Sequence, residues 1–345
     1  INAAASGDIL GIIAVALGFL VLFVAISMFL GKKSWYKKLG AGKSNLALGI
    51  ILLLLIGAIA YFLYTEGKLS IPKLKEEETK EIGLKLPLKI AIINKLSGMP
   101  MTVSAVEIYD KSGRVLETLS ASGSYYVSAL KYESGESLYV KIDYGSGYMF
   151  TTITIPFYEK DVAEITQPDY HEIEIKAPDL PSTLLISVYD NLGNSIASGS
   201  TINATTDVLT FEITIRNNEQ DTALPTTFYN PVLGTNLVSA VVVSGDKPLV
   251  ITGMNPLYSD SSKTVLFSEL SDLACIYDPK TGSIKPGVAS YTLSIDASAL
   301  GAGESASITI TTYIDLDINY YKQMGIPSKE AVAISTWSVT IAKQA

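Results

Sequence analysis

Residues able to do chemistry are few in this chain, and their spacing narrows them further. There is one histidine, His171, and one cysteine, Cys275. A disulfide within one chain is therefore excluded, and a Cys/His metal site cannot be assembled. His171 lies in the alternating stretch Tyr170-His171-Glu172-Ile173-Glu174, with no Gly-x-Ser-x-Gly elbow anywhere in the chain, and reads as a solvent-facing strand residue. Cys275 sits in Leu273-Ala274-Cys275-Ile276-Tyr277 and reads as a small buried apolar group rather than a nucleophile. Asp315, Asp317 and Asn319 have the D-x-D-x-N spacing of a calcium loop, but Tyr320 stands where Gly is needed and no Glu follows at position twelve. On a strand, residues two apart share the polar face; calcium at a domain edge stays open as the alternative. Gly40-Ala41-Gly42-Lys43-Ser44 has the ending of a phosphate-binding loop, yet Lys37 occupies the place of its first glycine and apolar runs flank it on both sides. No catalytic or cofactor-binding set emerges, and the reading is a non-enzyme without a cofactor. Asn203-Ala204-Thr205 is an N-glycosylation acceptor sequence in a turn-rich stretch.

The elements around these residues divide the 345-residue chain by composition. Residues 9–30 and 46–64 are apolar runs without a charge. At about 1.5 Å rise per residue each spans a hydrocarbon core of roughly 30 Å. Between them, 31–44 carries Lys32, Lys33, Lys37, Lys38 and Lys43 and no acid. The positive-inside rule places that loop in the interior, with both termini outside. So short a link predicts a transmembrane hairpin over 1–65. Ala14, Gly18, Gly49 and Gly57 would let backbones approach closely, within the hairpin or between copies. The basic loop suits anionic lipid headgroups, and at most non-specific contact with nucleic acid phosphates. Residues 66–83 are charge-dense, are interrupted by Pro72, and read as a stalk.

Beyond the stalk the period changes to two. Leu86, Leu88, Ile90 and Ile92 alternate, and turns at Ser112-Gly113, Ser134-Gly135 and 145–147 bound further strands. About seven strands over 84–177 predict an Ig-like antiparallel sandwich. Ala177-Pro178-Asp179-Leu180-Pro181 marks a junction, and 182–345 predicts a second, larger sandwich with strands near 184–189, 208–216, 237–243, 288–295, 306–313 and 331–341. Tyr109-Asp110 and Tyr189-Asp190 each precede a Gly three residues after the Asp, and both read as hairpin turns. Residues 83–345 hold 17 basic and 28 acidic groups, an acidic outer part that will not seek nucleic acid. Only Arg114 and Arg216 are arginines, which also argues against bidentate phosphate or base reading.

The segment FEITIRNN at 211–218, with the polar turn after it, resembles the first half of Ig-like surface modules of the CARDB type. LGAGESASITI at 300–310 is similar to their later strand. The stretch between, with Asn230-Pro231 and the surroundings of Cys275, departs from that pattern and implies long loops. The resemblance implies a binding or spacer module rather than an enzyme. The basic-looped hairpin resembles the coat proteins of membrane-containing archaeal viruses, and the Lys-, Ile- and Tyr-rich, Cys-poor composition is similar to proteins of thermophilic archaea. These likenesses imply a structural protein of a viral envelope or internal membrane. It would associate with itself or with other structural membrane proteins. The alternative is a cellular surface adhesin or an accessory subunit of a membrane complex.

Overall fold

The computed structural model describes residues 81–344, except 161–162, 164–165, 247–248 and 260–262. The runs 9–30 and 46–64, the loop lysines, the small residues Ala14, Gly18, Gly49 and Gly57, and the stalk up to residue 80 lie outside the described residues. Among the described residues no helix is long and apolar enough to cross a membrane.

Strand after strand here has one apolar face, so sheets must pack in pairs. In Lys85–Asn94 the alternating Leu88, Ile90 and Ile92 are fully buried while the residues between them stay half-exposed. Burying such a side chain stabilises by about 1.5–3 kcal/mol, which pins the register because a one-residue slip would expose the whole set. This strand sits in a sheet ordered His171–Ala177, Lys85–Asn94, Tyr125–Glu133, Ser120–Ser122. A second sheet, ordered Val115–Thr118, Ala105–Tyr109, Ser137–Asp143, Tyr148–Thr154, packs its Val106, Ile108, Val140 and Ile142 against it. Glu81–Ile82, near the C-terminal end of the charged stretch, pairs with Tyr158–Glu159.

The strands from 185 onward build a larger pair of sheets. One is ordered Ser195–Ile196, Leu185–Asp190, Val208–Asn217, Gly287–Asp296, Val250–Thr252. The other runs Ser200–Ala204, Val332–Lys343, Ser305–Leu316, Thr235–Asp246, Lys263–Glu269, Asn255–Ser259, with Phe228–Asn230 also paired to Thr235–Asp246. Phe211, Ile213, Leu293 and Ile295 of the first sheet share a core with Val241, Ile308, Trp337 and Ile341 of the second. The CARDB-like segments thus fall on facing sheets, 211–217 in Val208–Asn217 and 305–310 in Ser305–Leu316. Residues 300–304 form the turn before the latter, where Glu304 Oε2 accepts the Gly301 N–H at 2.7 Å.

Two expectations require correction. The sandwiches are not purely antiparallel: His171–Ala177 runs parallel to Lys85–Asn94, and Ser200–Ala204 runs parallel to Val332–Lys343. In each case the chain crosses to the facing sheet before returning, which is what a parallel neighbour requires. His171 is also not solvent-facing; it is fully buried. Its Nδ1 lies 3.0 Å from the Tyr158 hydroxyl, and its Nε2 lies 3.0 Å from the Tyr132 carbonyl and 3.3 Å from the Leu86 N–H. Alternation identifies two faces but not which is inward, and here the glutamates on the other parity take the water.

Both Tyr-Asp turns form as expected. Asp110 Oδ1 accepts from the N–H groups of Ser112 and Arg114, and Asp190 Oδ1 from those of Leu192 and Asn194, so the two hairpins are built alike. The Ser112 hydroxyl and the Arg114 N–H pull the Asp110 carboxyl down to about 2.

Candidate functional site at the junction of the sandwiches

The polar residues marked out in the sequence do not converge. Asn203 is exposed on the edge strand Ser200–Ala204, where its acceptor sequence is accessible. Cys275 is fully buried. Asp317 caps the helix Ile318–Met324, accepting the Tyr320 N–H at 2.9 Å, and Gly325 closes that helix with φ of 70°. Asn319 is exposed within the helix, whereas Asp315 is buried at the end of the strand Ser305–Leu316. Among the described residues no group of three His, Cys, Asp or Glu side chains is placed to hold a metal ion.

What the fold does bring together is a set of residues where one sandwich meets the other. Asn94, at the end of its strand, accepts from the N–H groups of Leu96 and Ser97 and donates from Nδ2 to the Asp221 carbonyl at 2.8 Å. Lys95 next to it pairs with Asp272. Fully buried Asn217 holds that side of the second sandwich in place, donating to the carbonyls of Thr222 and Leu273.

A second contact is aromatic. Phe228 and Leu237, from the second sandwich, are buried in the core of the first. The Phe228 ring meets Tyr148 edge-on at 6.0 Å, and Asn230 Nδ2 donates to the Tyr148 hydroxyl at 2.9 Å. Asn230 Oδ1 also accepts from Val232 and Leu233, shaping a turn on which the Asp110 hairpin rests. A side chain at Gly113 would place its Cβ 2.3 Å from the Pro231 carbonyl oxygen.

Asp315 makes the third contact. The strand's register against Val332–Lys343 slips between Thr312 and Tyr313, and Asp315 takes φ of 58°. Its Oδ2 accepts the Tyr148 N–H at 3.0 Å, across the boundary, while Oδ1 is buried without a hydrogen bond. The Tyr144 hydroxyl is buried and equally unpartnered. Gly147 makes room: a Cβ there would lie 2.3 Å from Ile314 Cδ1 and 3.3 Å from Asp315 Oδ2. Burial raises the Asp315 carboxyl to about 7, against the Tyr148 hydrogen bond; Asp143 pushes it up further and Lys141 opposes. Burial likewise drives the Tyr144 and Tyr148 phenols upward, with Asp315 adding to both. Lys141 lies 3.1 Å from Asp143 and 3.4 Å from Glu107, 5.1 Å from the centre of the Tyr148 ring.

Sequence reading missed this junction, although one signal was available. Asn230-Pro231 and the stretch around Cys275, where the CARDB-like pattern breaks off, supply Asn230, Asp272 and their neighbours. Three of the four described non-glycine residues with positive φ, namely Asp221, Asp272 and Asp315, also lie here. Aspartate tolerates that conformation better than most residues, so it suits sharp re-aiming of the chain.

No protein-family model and no curated protein matches this chain. Among solved structures it is similar to the major pilin subunit BcpA of Bacillus cereus, at 13% identity over 75% of this chain and 69% of that one, with a TM-score of 0.30. The T6 backbone pilin of serotype M6 Streptococcus pyogenes gives 12% identity over 75% and 64%, with a TM-score of 0.30. The major pilin SpaA of Corynebacterium diphtheriae gives 7% over 66% and 62%, with a TM-score of 0.28. Superpositions this loose carry no functional inference.

Proposed function

We propose that the chain is a structural surface protein that presents two interlocked β-sandwiches outside a membrane. The observation that carries this reading is the junction: shared apolar core, an ion pair and partly buried hydrogen bonds join the sandwiches, as suits a stiff spacer rather than a pair of loosely tethered modules. In the full reading 9–30 and 46–64 form the anchor, Lys32, Lys33, Lys37, Lys38 and Lys43 face the interior, and 66–83 is the stalk. Repetition is how such a protein works, so copies associate through Ala14, Gly18, Gly49 and Gly57, through the sandwiches, or through both. Asn203 carries a glycan where the host glycosylates. The narrower form of the proposal is a coat or spike component of a membrane-containing archaeal virus, which the basic-looped hairpin supports by resemblance.

Crosslinking in native membranes or particles tests it. A ladder of self-oligomers is expected, and Gly18→Leu or Gly57→Leu should shorten the ladder while insertion persists. Crosslinks only to a different protein would sink the self-associating reading in favour of an accessory subunit. Imaging that finds the chain in cell membranes but never in particles would remove the viral form.

A further inference from the structure

We propose that Asp315 is a proton-operated latch between the two sandwiches, closed when its carboxyl is neutral and loosened when it is ionised. The geometry carries this. One carboxyl oxygen takes the Tyr148 N–H from the neighbouring sandwich, and the other is enclosed with nothing to accept from. An ionised oxygen left so is costly to bury, and a neutral carboxyl largely removes that cost. The residue is 1% exposed, so bulk solvent does not reach it while the junction is shut.

The surrounding charges agree. From the first sandwich, Asp143, Lys141, Tyr144 and Tyr148 face the group; Asp179 acts on Tyr144, Glu330 acts on Tyr148, and Asp317 follows on its own segment. Lys141 is the one cation among them, and it is already engaged by Asp143 and Glu107. Burial pushes the carboxyl up to about 7, above the ordinary range. The closed junction is therefore fully favoured only below the ordinary carboxylate range, weakens as pH rises from there toward 7, and keeps no proton-linked advantage above it. Opening would separate Tyr148 from Asp315 and let solvent reach both. The latch belongs to the sandwich pair alone and operates wherever the chain is displayed.

Paired spin labels test it in the full chain. Ser124→Cys and Ala299→Cys place one label on each sandwich at exposed positions, while buried Cys275 stays unlabelled. The inter-label distance distribution should be narrow at pH 4, broaden as pH rises toward about 7, and change no further above it. Asp315→Asn should keep it narrow throughout, since asparagine tolerates the left-handed backbone and carries no charge. A distribution unchanged between pH 4 and 8.5 would overturn the latch, as would a pH response that persists in Asp315→Asn. Should that variant fail to fold, Asp143→Asn decides. It removes a charge that raises the Asp315 carboxyl and frees Lys141, so the closed junction tolerates the ionised form better and the broadening at pH 8 should shrink; undiminished broadening counts against the latch.

Discussion

Two buried groups show how much a single side chain owes to its surroundings. His171 bridges three segments, meeting Leu86, Tyr132 and Tyr158 at once. Truncation would leave buried polar partners unmatched and open a cavity. His171→Ala should therefore destabilise the first sandwich by about 2–4 kcal/mol, read from urea unfolding. Asp315 acts oppositely, because its ionised form opposes folding. Its folded value, about 7, lies above the ordinary 3.8. Between those values the folded chain keeps a proton that the unfolded chain has released, so stability falls as pH rises. The loss is complete above the folded value and is on the order of 4 kcal/mol. Asp315→Asn should flatten that dependence, giving a variant more stable than the parent at pH 8 and little changed below pH 4.

At the scale of elements, the matched hairpins form a natural experiment. Gly113 and Gly193 occupy the same place in turns built the same way, with φ of 78° and 81°. Alanine at either pays the left-handed penalty, about 1–2 kcal/mol. At Gly193 nothing lies within 4 Å of the added carbon, whereas at Gly113 it meets the Pro231 carbonyl. Gly193→Ala should thus lower the melting temperature slightly. Gly113→Ala should lower it more and also speed hydrogen exchange in Phe228–Asn230, because the hairpin and the inserted strand cannot both keep their seats. Equal effects would mean that the hairpin does not bear on the junction. Phe228→Ala, which empties the aromatic contact itself, should cost about 3–5 kcal/mol.

For the whole molecule, expectations rest on composition as well as fold. Residues 83–345 expressed alone should be soluble, with a β-type circular dichroism spectrum and melting insensitive to reductant, since Cys275 is the only cysteine. A mostly helical spectrum would refute the assignment. In the membrane, protease added outside should remove this part and leave 1–65 protected, with the five loop lysines shielded from an impermeant amine reagent. Labelling of those lysines from outside would reverse the orientation.

Strand positions were legible because side-chain alternation is local: Leu88, Ile90 and Ile92 mark their strand whatever lies opposite. Both Asp-Gly hairpins were legible for the same reason, since a turn is closed by groups four residues apart. The apolar runs, the basic stretch between them and the acidic balance of residues 83–345 likewise follow from composition alone. Tertiary structure decided the rest. Which face of His171–Ala177 is buried depends on a parallel partner, Lys85–Asn94, far earlier in the chain. Asp315 reads in sequence as a residue on the polar face of a strand, with calcium at a domain edge as the alternative. It becomes a buried junction residue only because a register slip and a left-handed backbone aim it at Tyr148, 167 residues away. Such pairings depend on long-range packing, which periodicity over a few residues does not encode.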